Sequence, residues 1–229
     1  YIKDEIGEQA LDVIALGPGE AREEVRVVQT LVEEHVENVR LFLLDISQPL
    51  LSAGYKHAAQ VLGDLRGVEV YAIQGNFHNL PRYTGLFQGT GRRLCCMFGG
   101  TFSNLDNELM FLRNTLSVFS EGDMLLLNLP TVYAPANDPA AILQRDRVFA
   151  RRSSDGSSTP APRMQEFVGG VFKRHVRGLR GVRLEPCLDT NACPVPGSYA
   201  VDVRAHVRLM RGAEREFSTY YSRRYDPEG

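Results

Sequence analysis

The chain has 229 residues, 43% of them hydrophobic and 24% charged, which suits one folded domain and excludes a largely disordered chain. No apolar run approaches the ~18 residues that a membrane-spanning helix needs, and no signal peptide is visible. The net charge of −2 divides into −7 over residues 1–137 and +5 over the rest, but the bases are scattered, without the basic stripe of a nucleic-acid binder.

In chain order, LDVIAL at 11–16 reads as a buried strand running into Gly17. Val25, Val28, Val32 and Val36 recur at helical spacing and predict a helix over 22–37. VRLFLL at 39–44 is a second strand, ended by Asp45. A helix follows over 47–63, with Ser47 as N-cap and Pro49 in the first turn. VEVYAI at 68–73 and RLCCMF at 93–98 are further strands. A helix from Asp106 to Phe119 and a fifth strand at 123–129 complete this part. Strands alternating with helices predict βαβ units: an α/β fold with a mostly parallel sheet and helices on both faces. Ligands of such sheets bind at the carboxyl ends of the strands.

The remainder differs in character. A helix is expected over 137–149, a Ser/Pro-rich loop over 151–162 and a helix over 163–178. Three β-like runs follow, at 182–188, 199–209 and 215–225, and Gly212 is expected to turn the last two into an antiparallel hairpin. We expect one domain over 1–229, with 1–135 binding a cofactor and 136–229 completing the sheet and the substrate pocket. The chain opens at Tyr1, so an N-terminal region is expected to be missing.

The chemistry concentrates in VIALGPGE, residues 13–20, where a strand enters Gly17-Pro18-Gly19 and a helix begins soon after. Glycines there let a backbone approach a ligand closely. Asp45, 26 residues after Gly19, has the chemistry to accept bonds from both hydroxyls of a ribose or to cap a helix. A dinucleotide fingerprint wants a small residue where Arg22 stands, and no GxxxxGK[ST] loop occurs. The pattern therefore points to adenosine held without a pyrophosphate, as in S-adenosylmethionine. His78 is the one histidine near the expected cleft and a candidate acid/base group. No histidine has a partner at metal-ligand spacing, Cys95 and Cys96 read as core thiols, and Cys187 and Cys193 make a weak zinc or disulfide pattern. The expected compartment is the cytoplasm.

VIALGPG, FLLDIS, VYAIQGNF and LCCMFGGTFSNLD follow one another as in class I S-adenosylmethionine-dependent methyltransferases. The fourth segment resembles the "FLGSTIGN" run of the histidine Nα-methyltransferase (ergothioneine-pathway) family, and STYYSRRY at 218–225 resembles that family's closing "TENSHKY". The resemblance covers residues 11–130 well and the last 25 loosely. It implies a Rossmann-like class I methyltransferase fold with S-adenosyl-L-methionine as cofactor. Gly17, Pro18 and Gly19 would lie against its methionine part, Asp45 and Ile46 at the ribose, and Asn76 and Phe77 at the adenine. Gly99, Gly100 and Thr101 would lie beneath the sulfonium. Asn104, Tyr133, Tyr220 and Ser222 are the candidates to position a small-molecule methyl acceptor. Tyr220 stands where the family has a glutamate that grips the substrate ammonium, which turns the expectation away from histidine itself. The expected reaction is N-methylation of a small amine or amino-acid-like substrate. The alternatives are an O-methyltransferase of a natural-product pathway and a non-catalytic module that binds the cofactor.

Overall fold

The computed structural model of the chain describes residues 10–87, 91–129, 131, 151–152, 158–159, 162–189, 199–210 and 212–225. Contacts divide it into two compact units, Tyr1–Leu129 and Pro130–Gly229. The expected helix at 137–149, Tyr133 and Cys193 lie outside the described residues.

The first unit is an α/β layer structure. Five parallel strands, β1 (Leu11–Leu16), β2 (Val39–Asp45), β3 (Val68–Gln74), β4 (Arg92–Met97) and β5 (Met124–Leu127), lie in the order β3-β2-β1-β4-β5. β1 is central, and all six of its residues are buried. That explains its unbroken apolar run: a strand covered on both faces has no wet side to pattern.

One face is covered by two helices, α1 (Arg22–Glu33) and α2 (Gln48–Leu62). Val25, Val28 and Leu31 of α1, and Leu51, Ala58 and Leu62 of α2, pack against Leu11, Val13, Ala15, Leu41, Leu43 and Cys96. Full burial of each large apolar side chain contributes about 1.5–3 kcal/mol. On the opposite face the ring of Phe87 meets that of Phe42 edge-on at 5.0 Å, at the end of a 3₁₀ segment (Phe77–Leu86). Helix α3 (Glu108–Thr115) brings the buried Phe111 ring to 5.8 Å from Phe77. Cys95 and Cys96 are adjacent in β4, so their thiols enter opposite faces. Burial pushes the Cys95 thiol up to about 12 and the Cys96 thiol upward as well.

The end of α1 and both ends of α3 differ from expectation, for local reasons. α1 stops at Glu33, not at residue 37. His35 takes a left-handed φ of 64°, the His35 amide donates to Val32 O at 2.9 Å and the Val36 amide to Leu31 O at 2.9 Å. This is a Schellman stop with histidine where glycine is usual. α3 begins at Glu108 because the Asn107 side chain accepts the Met110 amide at 2.8 Å, and it ends at Thr115, where a short 3₁₀ turn (Leu116–Val118) follows. Ser47 occupies the N-cap of α2 but makes no side-chain cap bond.

In the second unit, the stretch 151–162, expected as a loop throughout, contains a short antiparallel pair, β6 (Arg151–Arg152) and β7 (Ser158–Thr159). Helix α4 (Pro162–His175) follows, then three antiparallel strands, β8 (Leu179–Asp189), β9 (Tyr199–Leu209) and β10 (Glu214–Arg224), in the order β10-β9-β8. The expected hairpin is present, turned at Gly212 with φ 80°, but β8 joins it to make a three-stranded sheet of its own. The alternating burial of β9 has Val201, Val203, Ala205 and Val207 inward and Asp202, Arg204 and His206 on the other side. There Arg204 pairs with Asp202 at 3.1 Å, and His206 lies 3.0 Å from Glu185.

Candidate functional site

The strand order reverses between β1 and β4, and a cavity of about 330 Å³ opens there, at their carboxyl ends. Its lining runs from Gly17 through Glu24 and includes Phe98, Gly99 and Thr101. Three residues of the turn after β1 are left-handed: Gly17 at φ 65°, Gly19 at 55° and Ala21 at 56°. For the alanine that conformation costs roughly 1–2 kcal/mol. It is held because the Ala21 amide donates to Pro18 O at 2.9 Å and the methyl is fully buried.

Asp45 fixes the turn from the neighbouring strand. Its Oδ2 accepts the Gly19 amide at 3.2 Å and its Oδ1 accepts the Ser47 amide at 2.8 Å. Asp45 is buried, and the two donor residues are half-buried. One carboxylate therefore braces the turn after β1 and the segment that leads into α2, while Ser47 holds the N-cap position itself. Each oxygen keeps a further acceptor position for a ligand hydroxyl.

Thr101 ties the turn to the β4 side. Its Oγ1 donates to Phe98 O at 2.8 Å and lies 3.3 Å from Gly17 O. A Cβ on Gly17 would stand 2.9 Å from Thr101 Cγ2 and 3.4 Å from Phe77 Cε1. Gly17, Phe77 and Thr101 are thus brought together. Gly17→Ala should cost about 1–2 kcal/mol from its backbone conformation alone. The methyl clash adds a part that Thr101→Ser, which lacks Cγ2, should return. Urea denaturation of the single and double variants checks this, and an unchanged midpoint for Gly17→Ala would count against the geometry.

The other expected residues are less enclosed. Asn76 is exposed, and its side chain accepts the His78 amide at 3.0 Å as the cap of the 3₁₀ segment. Ile46 is 68% exposed at the end of β2, an apolar side chain left at the rim. Gly99 and Gly100 are both left-handed, at φ 65° and 83°. Asn104 is exposed, with its amide bonded to Gly100 O at 3.1 Å. The His78 ring stacks on Phe77 at 4.9 Å and meets Phe111 edge-on at 5.7 Å. Tyr220 and Ser222 belong to β10 in the second unit, where their backbones pair with Val203 and Val201, and Ser222 is buried.

Three residues that sequence reasoning passes over shape the site. Gly54 of α2 is one: a Cβ there would lie 2.7 Å from Gly19 O, so this glycine lets α2 pack on the turn. Ala21 is the second. The third is Glu24, a buried residue of the cavity lining. Arg22, where a dinucleotide fingerprint wants a small residue, turns outward onto Glu20 at 2.9 Å. The lining carries Glu20, Glu23 and Glu24, of which Glu20 pairs with Arg22 and Glu23 lies 3.7 Å from Arg26.

Among the described residues no group of three or more His, Cys, Asp or Glu is arranged to hold a metal ion, and no helix is long and apolar enough to cross a membrane. No protein-family model matches the chain, and no curated protein matches it in sequence.

Proposed function

We propose that this protein is an S-adenosylmethionine-dependent methyltransferase of the Rossmann-like class I type, acting on the nitrogen of a small amine or amino-acid-like substrate. One observation carries the reading: the Asp45 carboxylate, at the end of β2, is joined to the Gly19 amide beside a cavity at the β1/β4 reversal. A strand-end carboxylate suits a ribose diol, and a glycine turn suits a ligand lying directly on backbone. The acidic lining supports a cofactor without phosphates. The strand order β3-β2-β1-β4-β5 and the motif resemblance support the same family. The exposed Asn104 remains the candidate to meet the acceptor.

Bound there, the cofactor supplies an electrophilic methyl group. The chain's part is to hold the acceptor nitrogen ~3–3.5 Å from that carbon and in line with the departing sulfur. Gly17, Gly19 and Asp45 would hold the cofactor, which would give up its methyl group by exchanging the S–C bond for a C–N bond and leave as a neutral thioether, with the acceptor's surplus proton passing to water. A neutral amine needs no base for this step, which favours nitrogen over a hydroxyl acceptor. The free Cys95 and Cys96 thiols suit a reducing cytoplasm.

Calorimetric titration with S-adenosylhomocysteine, with NAD as the control, tests the reading. The expected result is saturable binding of the first and none of the second. Binding of NAD with no response to S-adenosylhomocysteine would overturn it.

A further inference from the structure

Glu24 is a carboxyl in a place where carboxylates are costly. It is the third residue of α1, only 2% exposed, and it lines the cavity beside Gly17, Gly19 and Phe98. Its carboxyl makes a hydrogen bond to its own backbone amide, and among the described residues no ion pair joins it to a cation. The charges around it do not supply one. Glu23 and Glu20 are negative, and Arg22 is 72% exposed and committed to Glu20. Asp45 is committed to two amides, and the Cys96 thiol of β4 is neutral.

Simple packing does not call for this residue. The neighbouring inward positions of α1 are Val25, Val28 and Leu31. An unpaired buried acid is destabilising unless something completes it. Helix amides alone would invite an anion to this end of α1, but Glu20, Glu23 and Glu24 stand beside them in the lining.

We propose that Glu24 is the counter-charge for an ammonium group of the ligand that fills this cavity. On the cofactor reading above, on which this inference rests, that group is the α-amino group of the amino-acid tail. Glu24 is then a specificity-determining residue for the cofactor and takes no part in methyl transfer. Burial raises its carboxyl to about 7, so below that pH it enters the encounter protonated. Pairing with an ammonium restores the carboxylate and sends one proton to the buffer.

The test compares S-adenosylhomocysteine with the analogue that lacks only its α-amino group. Both are titrated into the wild-type chain and into Glu24→Gln, at pH 6 and pH 8.5, in buffers of different ionisation enthalpy. For the wild type we expect S-adenosylhomocysteine to bind about 10- to 100-fold more tightly than the analogue, the range of a charged hydrogen bond. At pH 6 its binding should release a proton. In Glu24→Gln both the preference and the release should disappear. Equal binding of the two ligands to the wild type would overturn this inference and leave the cofactor reading standing. A preference retained in Glu24→Gln would overturn it too, and leave Glu24 as a helix-end carboxyl. No binding of either ligand to the wild type would overturn the cofactor reading and this inference with it. The wild-type comparison needs no variant to fold.

Discussion

Asp45→Ala is expected to destabilise the first unit by about 3–5 kcal/mol, measured by urea denaturation without ligand. The carboxylate satisfies two amides, Gly19 at 3.2 Å and Ser47 at 2.8 Å, and charged hydrogen bonds contribute ~1.5–3 kcal/mol each. Removing it leaves the half-buried Gly19 and Ser47 amides without this acceptor and frees a turn that contains left-handed Gly19 and Ala21. Asp45→Asn keeps one acceptor oxygen and should lose about half as much. Ser47→Ala should lose little, because the Ser47 hydroxyl makes no cap bond. A loss under about 1 kcal/mol for Asp45→Ala, the size of a surface interaction, would mean that the turn does not depend on this carboxylate.

Glu24→Gln is expected to be more stable than the wild type above pH 7, by roughly 3 kcal/mol, and no different below about pH 4. Burial raises the Glu24 carboxyl from 4.5 to about 7. Below the lower value the group is protonated in both folded and unfolded chains and contributes nothing to the difference. Between the two values the unfolded chain sheds its proton while the folded chain retains it, so wild-type stability falls as pH rises. Above about 7 the penalty is complete, and every tenfold difference in proton affinity between the folded and unfolded chains corresponds to about 1.4 kcal/mol. Glutamine keeps the shape without the ionisation. Denaturation of both proteins from pH 4 to pH 8.5 checks this, and parallel curves would show that the carboxyl is not desolvated as its burial implies.

Much of the first unit is legible in the sequence because each strand is a compact apolar run and each helix an amphipathic one. β1, at 11–16, matches residue for residue. The misplaced ends have local causes. His35 closes α1 in a conformation that glycine normally takes, and nothing in the alternation of valines betrays it. Asn107 caps α3 one residue beyond Asp106, with both residue types equally suited to capping. In the second unit, β8 starts at Leu179, ahead of the expected run at 182–188, and a register shift between Leu179 and Gly181 breaks the alternation that would have marked the early start.

The glycine turn and Asp45 are visible in the sequence because strand, turn and strand end follow at familiar spacing. Gly54 and Glu24 are not. Gly54 matters through a contact with Gly19, 35 residues away in the chain, and a lone glycine inside a helix gives no sign of what approaches it. Glu24 reads as one more acid on the wet side of a helix rich in acids. Only the packing of α1 on β1 and β4 turns it inward.

The adjacent thiols of β4 have a consequence for reactivity. Strand geometry sends them into different layers, so joining them in a disulfide would require the strand to be dismantled. With both thiols buried and held protonated, a modifying reagent reaches either one only when its own layer opens. Cys96 is a clock for the layer of α1 and α2, and Cys95 for the layer of Phe42 and Phe87. Two labelling rates from neighbouring residues thus resolve whether the faces of this sheet breathe together or apart.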